Sequence, residues 1–242
     1  MLNQSTVDKM YELKLMGMLQ AWEATLNNNE HANISLSEGL TLLVDHEVSF
    51  RQNKKQQRLF KNAKLKYSSA CLEDVRFDAA RKFSKDKLKS LYSNNWLENG
   101  ENVIISGPTG VGKTYMACAV ANNLCRYGYS VKYYRFSKLL EQLRIARADG
   151  SYLRLLMQLQ KVRCLVIDDW GLDSIPEQQR NDLLEIIDDR YKQGSLIITT
   201  QLPIECWHEY IGEPTIADAI LDRLLHNATV IDITGESLRK NN

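Results

Sequence analysis

Eight consecutive residues, Gly107 to Thr114 with the sequence GPTGVGKT, fill every fixed position of the pattern GxxxxGK[ST]. Glycines at this spacing let the backbone curl into a nest of inward N–H groups that cradles phosphate oxygens. Lys113 can reach the terminal phosphates, and the Thr114 hydroxyl can hold Mg²⁺. Gly107, Pro108, Thr109, Gly110, Val111, Gly112, Lys113 and Thr114, with Tyr115 directly after them, are the expected nucleotide-contacting residues. A second chemical group stands 54 residues beyond Thr114, where Cys164, Leu165, Val166 and Ile167 run into Asp168 and Asp169. Asp168 is placed to hold the metal bridging the phosphates, and Asp169 to orient or deprotonate an attacking water. The plainer use of two acids there is to cap the following turn. A third group closes the run Leu196 to Thr200, where Gln201 or Thr200 could hydrogen-bond that water; Leu202 and Pro203 after it also suit an ordinary turn.

These groups need a scaffold, and the pattern around them supplies one. Val103, Ile104 and Ile105 precede the glycine loop and helix signals run from Lys113 to about Tyr127, so the phosphates would sit on a positive helix N-terminus. From there short apolar runs alternate with helical patterns. Strands are expected at 103–106, 131–135, 163–168, 195–200 and 229–233, with helices at 113–127, 137–148, 151–161, 176–193 and 215–226. Five parallel strands joined by crossover helices make a doubly wound α/β sheet. Gln201 would lie beside the terminal phosphate if its strand falls between those of the loop and the acid pair, the place of a sensor in additional-strand nucleoside triphosphatases.

The 242 residues suffice for one sizeable core and a lesser domain. The net charge of +1 conceals a partition: residues 1–50 carry two Lys/Arg against seven Asp/Glu, whereas residues 51–89 carry thirteen against four. A segment this basic points to a polyanion. The five cysteines are scattered without a CxxC pair, as expected of reduced core thiols in a cytoplasmic protein, and the four histidines have no ligand spacing for zinc. Asp8, Lys9, Glu12 and Lys14 interrupt the apolar positions at the N-terminus, so neither a signal peptide nor a membrane span is expected.

In the front part, Val7, Met10, Leu13, Met16, Leu19 and Trp22 recur at helical spacing, predicting one amphipathic helix from Ser5 ended by Asn27 to Asn29. A second helix is expected from Ser35 or Ser37 through Val48. The stretch Arg51 to Lys66 continues it with seven basic residues and no acid: Arg51, Lys54, Lys55, Arg58, Lys61, Lys64 and Lys66. With Phe50, Phe60 and Tyr67 interleaved, these residues suit the phosphates of duplex DNA; a solvated basic helix face is the alternative. Residues 68–100 form a connector that keeps positive charge through Arg81, Lys82, Lys85, Lys87 and Lys89.

At this length of agreement the chain resembles the IstB-like transposition helpers, AAA+ ATPases of the DnaC helicase-loader clade. GPTGVGKTYMACA, LVIDDWGL, ITTQLPIECWHE, PTIADAILDRLLHNA and GESLRK carry the resemblance, and LKLMGMLQAW, LLVDHEVSFRQNKKQQRL and ACLEDVRFDAARKF extend it through the front half. It implies a P-loop NTPase fold of AAA+ type with an N-terminal helical domain at 1–68, a connector at 69–100 and the ATPase domain at 101–242. It further implies ATP and Mg²⁺ as cofactors, assembly on double-stranded DNA, and recruitment or stimulation of a transposase. In such proteins ATP lies between subunits of a homo-oligomer, and Arg223 in AILDRLL matches the arginine that a neighbour inserts; an intrachain pair with Asp218 or Asp222 is its other use.

Two departures stand out. Most members of the wider superfamily carry Glu where Asp169 stands, which predicts slow turnover. Too few residues follow strand 229–233 for a helical C-terminal lid, leaving Arg239 as a weak substitute for a lid arginine. Arg144, Arg147, Arg154, Lys161 and Arg163 surround two short helices where related initiators insert a DNA-contacting element. Three rivals remain: a replicative helicase loader favouring single strands, a P-loop small-molecule kinase needing an acceptor pocket, and a module in which the nucleotide only locks the structure.

Overall fold

The computed structural model describes residues 4–27, 34–75 and 85–237. Asn28, Asn29, Arg81, Lys82 and Arg239 lie outside the described residues. The chain divides into two compact units, Met1–Arg58 and Leu59–Asn242.

The first unit is helical. α1 (Gln4–Glu12) and α2 (Met16–Asn27) replace the single helix expected from the apolar spacing. Between them Lys14 adopts a left-handed φ of 56°, with Leu15 N–H donating to Met10 O and Lys14 N–H to Tyr11 O. This is the Schellman arrangement that usually signals itself by glycine; a lysine in that place gives no stop signal. α3 (Leu36–Ala63) carries Arg51, Lys54, Lys55, Arg58 and Lys61 of the basic stretch and ends before Lys64, which takes a left-handed φ of 53°, so Lys64 and Lys66 lie past the helix rather than on it as expected. Ser35 starts it with a capping box: its hydroxyl accepts from Glu38 N–H while the Glu38 carboxylate accepts from Ser35 N–H.

α2 is fastened to α3 by Glu47, which accepts from Gly17 N–H at 2.6 Å and Met18 N–H at 3.1 Å and pairs with Arg51 at 2.6 Å. A carboxylate at a helix N-terminus completes the orphan donors there. Burial works to raise the Glu47 pKa, yet the bonds from Arg51, Met18 and Gly17 hold it below its ordinary value of 4.5.

In the second unit, α4 (Lys85–Tyr92) and α5 (Asn95–Glu98) precede β1 (Asn102–Ser106), α6 (Lys113–Arg126), β2 (Val131–Arg135), α7 (Phe136–Asp149) and α8 (Tyr152–Lys161). They are followed by β3 (Cys164–Trp170), α9 (Glu177–Arg190), β4 (Ser195–Thr200), α10 (Trp207–Ile211), α11 (Pro214–Leu225) and β5 (Ala228–Asp232). All five strands are parallel in the order β2-β3-β4-β1-β5, so β4 lies between the strand of the glycine loop and that of the acid pair. Alternate strand residues serve two apolar layers. Val103, Ile105, Val166 and Ile197 pack with α6, while Ile104, Leu165, Ile167 and Ile198 pack with α7, α9 and α11. Burial on both faces explains the continuous apolar runs. After β5 the described chain passes the glycine loop as Ile233–Ser237, with no helical lid among the described residues. No described helix is long and apolar enough to cross a membrane.

A Cβ on Gly17 would lie 2.6 Å from Glu47 Cα and 2.7 Å from His46 O. Gly17→Ala is expected to destabilise the first unit by about 1–3 kcal/mol, the usual cost of overpacking, read as an earlier unfolding transition in denaturant. Because the folded Glu47 pKa is lowered, its stabilising contribution is present above 4.5 and is lost as the pH falls further into the acid range. Glu47→Gln should flatten that acid limb.

Candidate functional site

The glycine loop leaves β1 at Ser106 and enters α6 at Lys113, with Gly112 as N-cap at φ 98°. Gly107 and Gly110 take φ values of 143° and 83°, which side chains rarely adopt. Lys113 is 7% exposed and folds back over the loop, donating to Gly107 O and Pro108 O at 2.8 Å each. Its ammonium thus lies at the mouth of the nest, beside the positive end of α6, where an anion would be drawn.

The acid pair meets this loop directly. Asp168 is fully buried, and three hydroxyls donate to it from three different elements. Thr114 on α6 reaches Oδ1 at 2.8 Å, Thr199 on β4 reaches Oδ1 at 2.6 Å, and Tyr133 on β2 reaches Oδ2 at 2.6 Å. Burial, and next the bond to Asp168, push the Tyr133 phenol far above its ordinary pKa, so it is a donor throughout the physiological range. Thr114 and Asp168 together form an oxygen-only pair, the donor set that suits Mg²⁺ held by one carboxylate, a hydroxyl, waters and substrate phosphates.

Asp169 owes its position to an irregularity in β3. Ile167 pairs with Ile198, but the next pairing is Trp170 with Thr200, so one extra residue is inserted on β3. Asp169 takes it up at φ 63°, its N–H bonded to Thr199 Oγ1 at 3.0 Å. Bulges of this kind re-aim side chains beside active sites. Consecutive strand residues would ordinarily point to opposite faces; here both carboxylates are reached by side chains two apart on β2, Tyr133 touching Asp168 and Arg135 pairing with Asp169 at 3.1 Å. Trp170 anchors the bulge in an aromatic cluster with Phe136 at 4.7 Å and Trp207 at 5.2 Å between ring centroids.

The structure therefore unites Lys113, Thr114, Asp168 and Asp169. Thr199, Tyr133 and Arg135 join them without a motif signal in the sequence; the tyrosine and arginine become visible only once β2 is known to lie beside β3. Thr200 instead holds the turn after β4, donating to Trp170 O and accepting from Leu202 N–H, and Gln201 is exposed just past the strand. The Tyr115 side chain faces the connector, its hydroxyl accepting from Cys71 N–H and its ring 6.0 Å from that of Tyr67. Asn122 on the same helix donates to carbonyls of Tyr67, Ser68 and Ala70.

Arg223 lies elsewhere. Asn102, the first residue of β1, donates to the carbonyls of Arg223 and Leu224, whereas the glycine loop follows the last residue of that strand. Four extended steps of about 3.3 Å put roughly 13 Å of strand between the two ends. The Arg223 guanidinium pairs with Asp188 of α9 at 2.5 Å, not with Asp218 or Asp222. On α7, Arg147 is bound to Asp182 and stacked on Tyr152, and Arg163, past the end of α8, donates to the Gln193 and Leu97 carbonyls. Arg144, Arg147, Arg154 and Lys161 are exposed, as is Lys138 of α7, which pairs with Glu141 at 2.8 Å, whereas Arg163 is partly buried.

All seven basic residues from Arg51 to Lys66 are exposed, and Arg51, Lys54, Arg58 and Lys61 recur at three- and four-residue steps along α3. Arg51 is tied to Glu47, Lys54 lies 4.5 Å above the Phe50 ring, and Lys66 lies 5.7 Å above that of Tyr67.

Among the described residues, Thr199 is the one that both donates to Asp168 and accepts from the Asp169 backbone. Thr199→Val keeps the shape and leaves buried polar groups unpaired, so a loss of about 1–3 kcal/mol in unfolding free energy is expected, measured by denaturant titration.

Comparison with known proteins accords with this geometry. The family described as IstB-like ATP binding protein matches residues 8–242. A relative from Sinorhizobium fredii, described as an insertion sequence ATP-binding protein, is 45% identical over 241 residues, covering 100% of this chain and 98% of its own length. One from Pseudomonas fluorescens, also an insertion sequence ATP-binding protein by description, is 46% identical over 203 residues, 84% of this chain and 88% of its own. Among solved structures, the DnaC helicase loader superposes with a TM-score of 0.55 at 21% identity, covering 68% of this chain and 96% of that one. DnaI superposes at 0.57 with 22% identity, covering 70% and 90%. These two likenesses show a shared fold; the sequence match establishes more, and the chain belongs to the family of IstB-like ATP-binding proteins.

Proposed function

We propose that the chain is an Mg²⁺-dependent ATPase that assembles as a homo-oligomer on double-stranded DNA and recruits or stimulates a transposase. The observation that carries the catalytic half is the bulge presenting Asp169 one residue beyond the carboxylate that binds Thr114. A nucleotide-binding module needs the nest, Lys113 and Thr114; a second carboxylate aimed beside them fits hydrolysis. Lys113 and the α6 N-terminus would bind the β- and γ-phosphates, while Thr114 and Asp168 would hold Mg²⁺, which supplies neutralising charge when bound. Asp169 would orient the water and accept its proton after leaving Arg135. Gln201, exposed past the neighbouring strand, would contact the terminal phosphate or the water.

Arg223 supports assembly. At the far end of β1 from the glycine loop, it suits the site of a neighbouring copy better than its own, and release from Asp188 would accompany that transfer. The row Lys54, Lys55, Arg58 and Lys61, with Arg51, Lys64 and Lys66 beside it, supports duplex binding through backbone phosphates. The insertion-sequence descriptions of the relatives support a transposase as partner.

Gel filtration with and without ATP and duplex DNA should show a larger species only when ATP, or ATP with DNA, is present; a chain that stays monomeric in all four conditions overturns the assembly. Asp169→Asn accommodates the left-handed backbone and removes the base. It should cut hydrolysis by about 10²–10⁴-fold while keeping ATP-dependent assembly. Neutralising Lys54, Lys55, Arg58 and Lys61 to Ala should weaken duplex binding and reduce the salt slope by about three to four; an unchanged slope would remove α3 from the interface. Competition between duplex and single-stranded DNA separates this function from helicase loading.

A further inference from the structure

We propose that Tyr133 is a positioning residue for the metal: its hydroxyl fixes the orientation of Asp168 and thereby sets the Mg²⁺ affinity of the nucleotide site. The proposal rests on Asp168 serving Mg²⁺ as set out above. The two oxygens of Asp168 are not treated alike. Oδ1 takes the Thr114 and Thr199 hydroxyls, whereas the bond to Oδ2 among the described residues comes from Tyr133 at 2.6 Å. Rotation of the carboxyl group about its own axis is stopped only when both oxygens are engaged. An O–H donated to a carboxylate is among the stronger neutral-to-charged bonds, and partners behind a metal ligand fix its direction and basicity.

The choice of tyrosine follows from the sheet. In the β2–β3 register Tyr133 is opposite Val166, and Asp168 is opposite Arg135, so Tyr133 reaches Asp168 along the diagonal. Tyr133 stands two residues before the one opposite Asp168, roughly 6.6 Å along the strand and about 4.8 Å across to β3, a span within reach of an aromatic side chain and too far for a serine or threonine hydroxyl. The ring itself packs against the apolar layer beneath α6, which holds the hydroxyl in place. Tyr134, the next residue, packs against the opposite layer and provides a matched control for loss of one phenolic oxygen from the same strand.

The test uses the full chain and a fluorescent ATP analogue, titrated first in EDTA and then at increasing Mg²⁺. In EDTA, wild type, Tyr133→Phe and Tyr134→Phe should bind the analogue equally. The Mg²⁺ concentration giving half of the metal-dependent gain should rise about ten- to a hundredfold in Tyr133→Phe and stay at the wild-type value in Tyr134→Phe. A wild-type Mg²⁺ dependence in Tyr133→Phe overturns the assignment and leaves the proposed ATPase standing. Equal losses with EDTA and with Mg²⁺ would reduce Tyr133 to a packing role and also overturn it. If wild type itself gains nothing from Mg²⁺, both the assignment and the metal-dependent ATPase fall.

Discussion

A carboxylate with no exposure to water is the constraint around which the rest of the second unit is arranged. The carboxyl group of Asp168 could not be buried in this sheet without large cost unless hydrogen-bond partners replaced its hydration. Thr114, Thr199 and Tyr133 do so from α6, β4 and β2. Three elements far apart in sequence thereby converge on one group, and the helix that receives phosphate is referenced to the strands that carry the acids. A displacement of the glycine loop would be felt at β2 and β4 through the same carboxylate.

The bulge in β3 answers a second need. A regular strand would send Asp168 and Asp169 to opposite faces; with the inserted residue both are reached by side chains two apart on β2, Tyr133 and Arg135. The insertion requires a left-handed residue, and aspartate tolerates that region better than glutamate would. The shorter side chain is therefore suited to its backbone, with Arg135 supplying the counter-charge at 3.1 Å.

Much of this was legible in the residues alone. The strand and helix pattern from Val103 to Asp232 was readable because parallel strands buried on both faces are continuous apolar runs. The loop was readable because its glycines and lysine sit at fixed spacing. The break at Lys14 was not, since the left-handed residue there is not glycine. The contacts of Tyr133, Arg135 and Thr199 were hidden for another reason: they depend on which strands become neighbours and on a one-residue shift in register. Nor did spacing along α11 disclose Asp188 as the partner of Arg223, because that acid belongs to α9.

The two glycines at the start of the phosphate loop also answer to the chain's own end. A Cβ on Gly107 would lie 2.1 Å from the Ile233 carbonyl oxygen, and one on Gly110 would lie 2.1 Å from the Ser237 hydroxyl. Their smallness serves internal fit as well as ligand cradling, so drift in the tail and drift in the loop are not independent. A tail on another path would remove the close approach as a reason for glycine and leave the other, the positive φ values, in force. Small residues at these two positions are thus demanded twice, by the close approach of the segment after β5 and by the left-handed backbone of the loop.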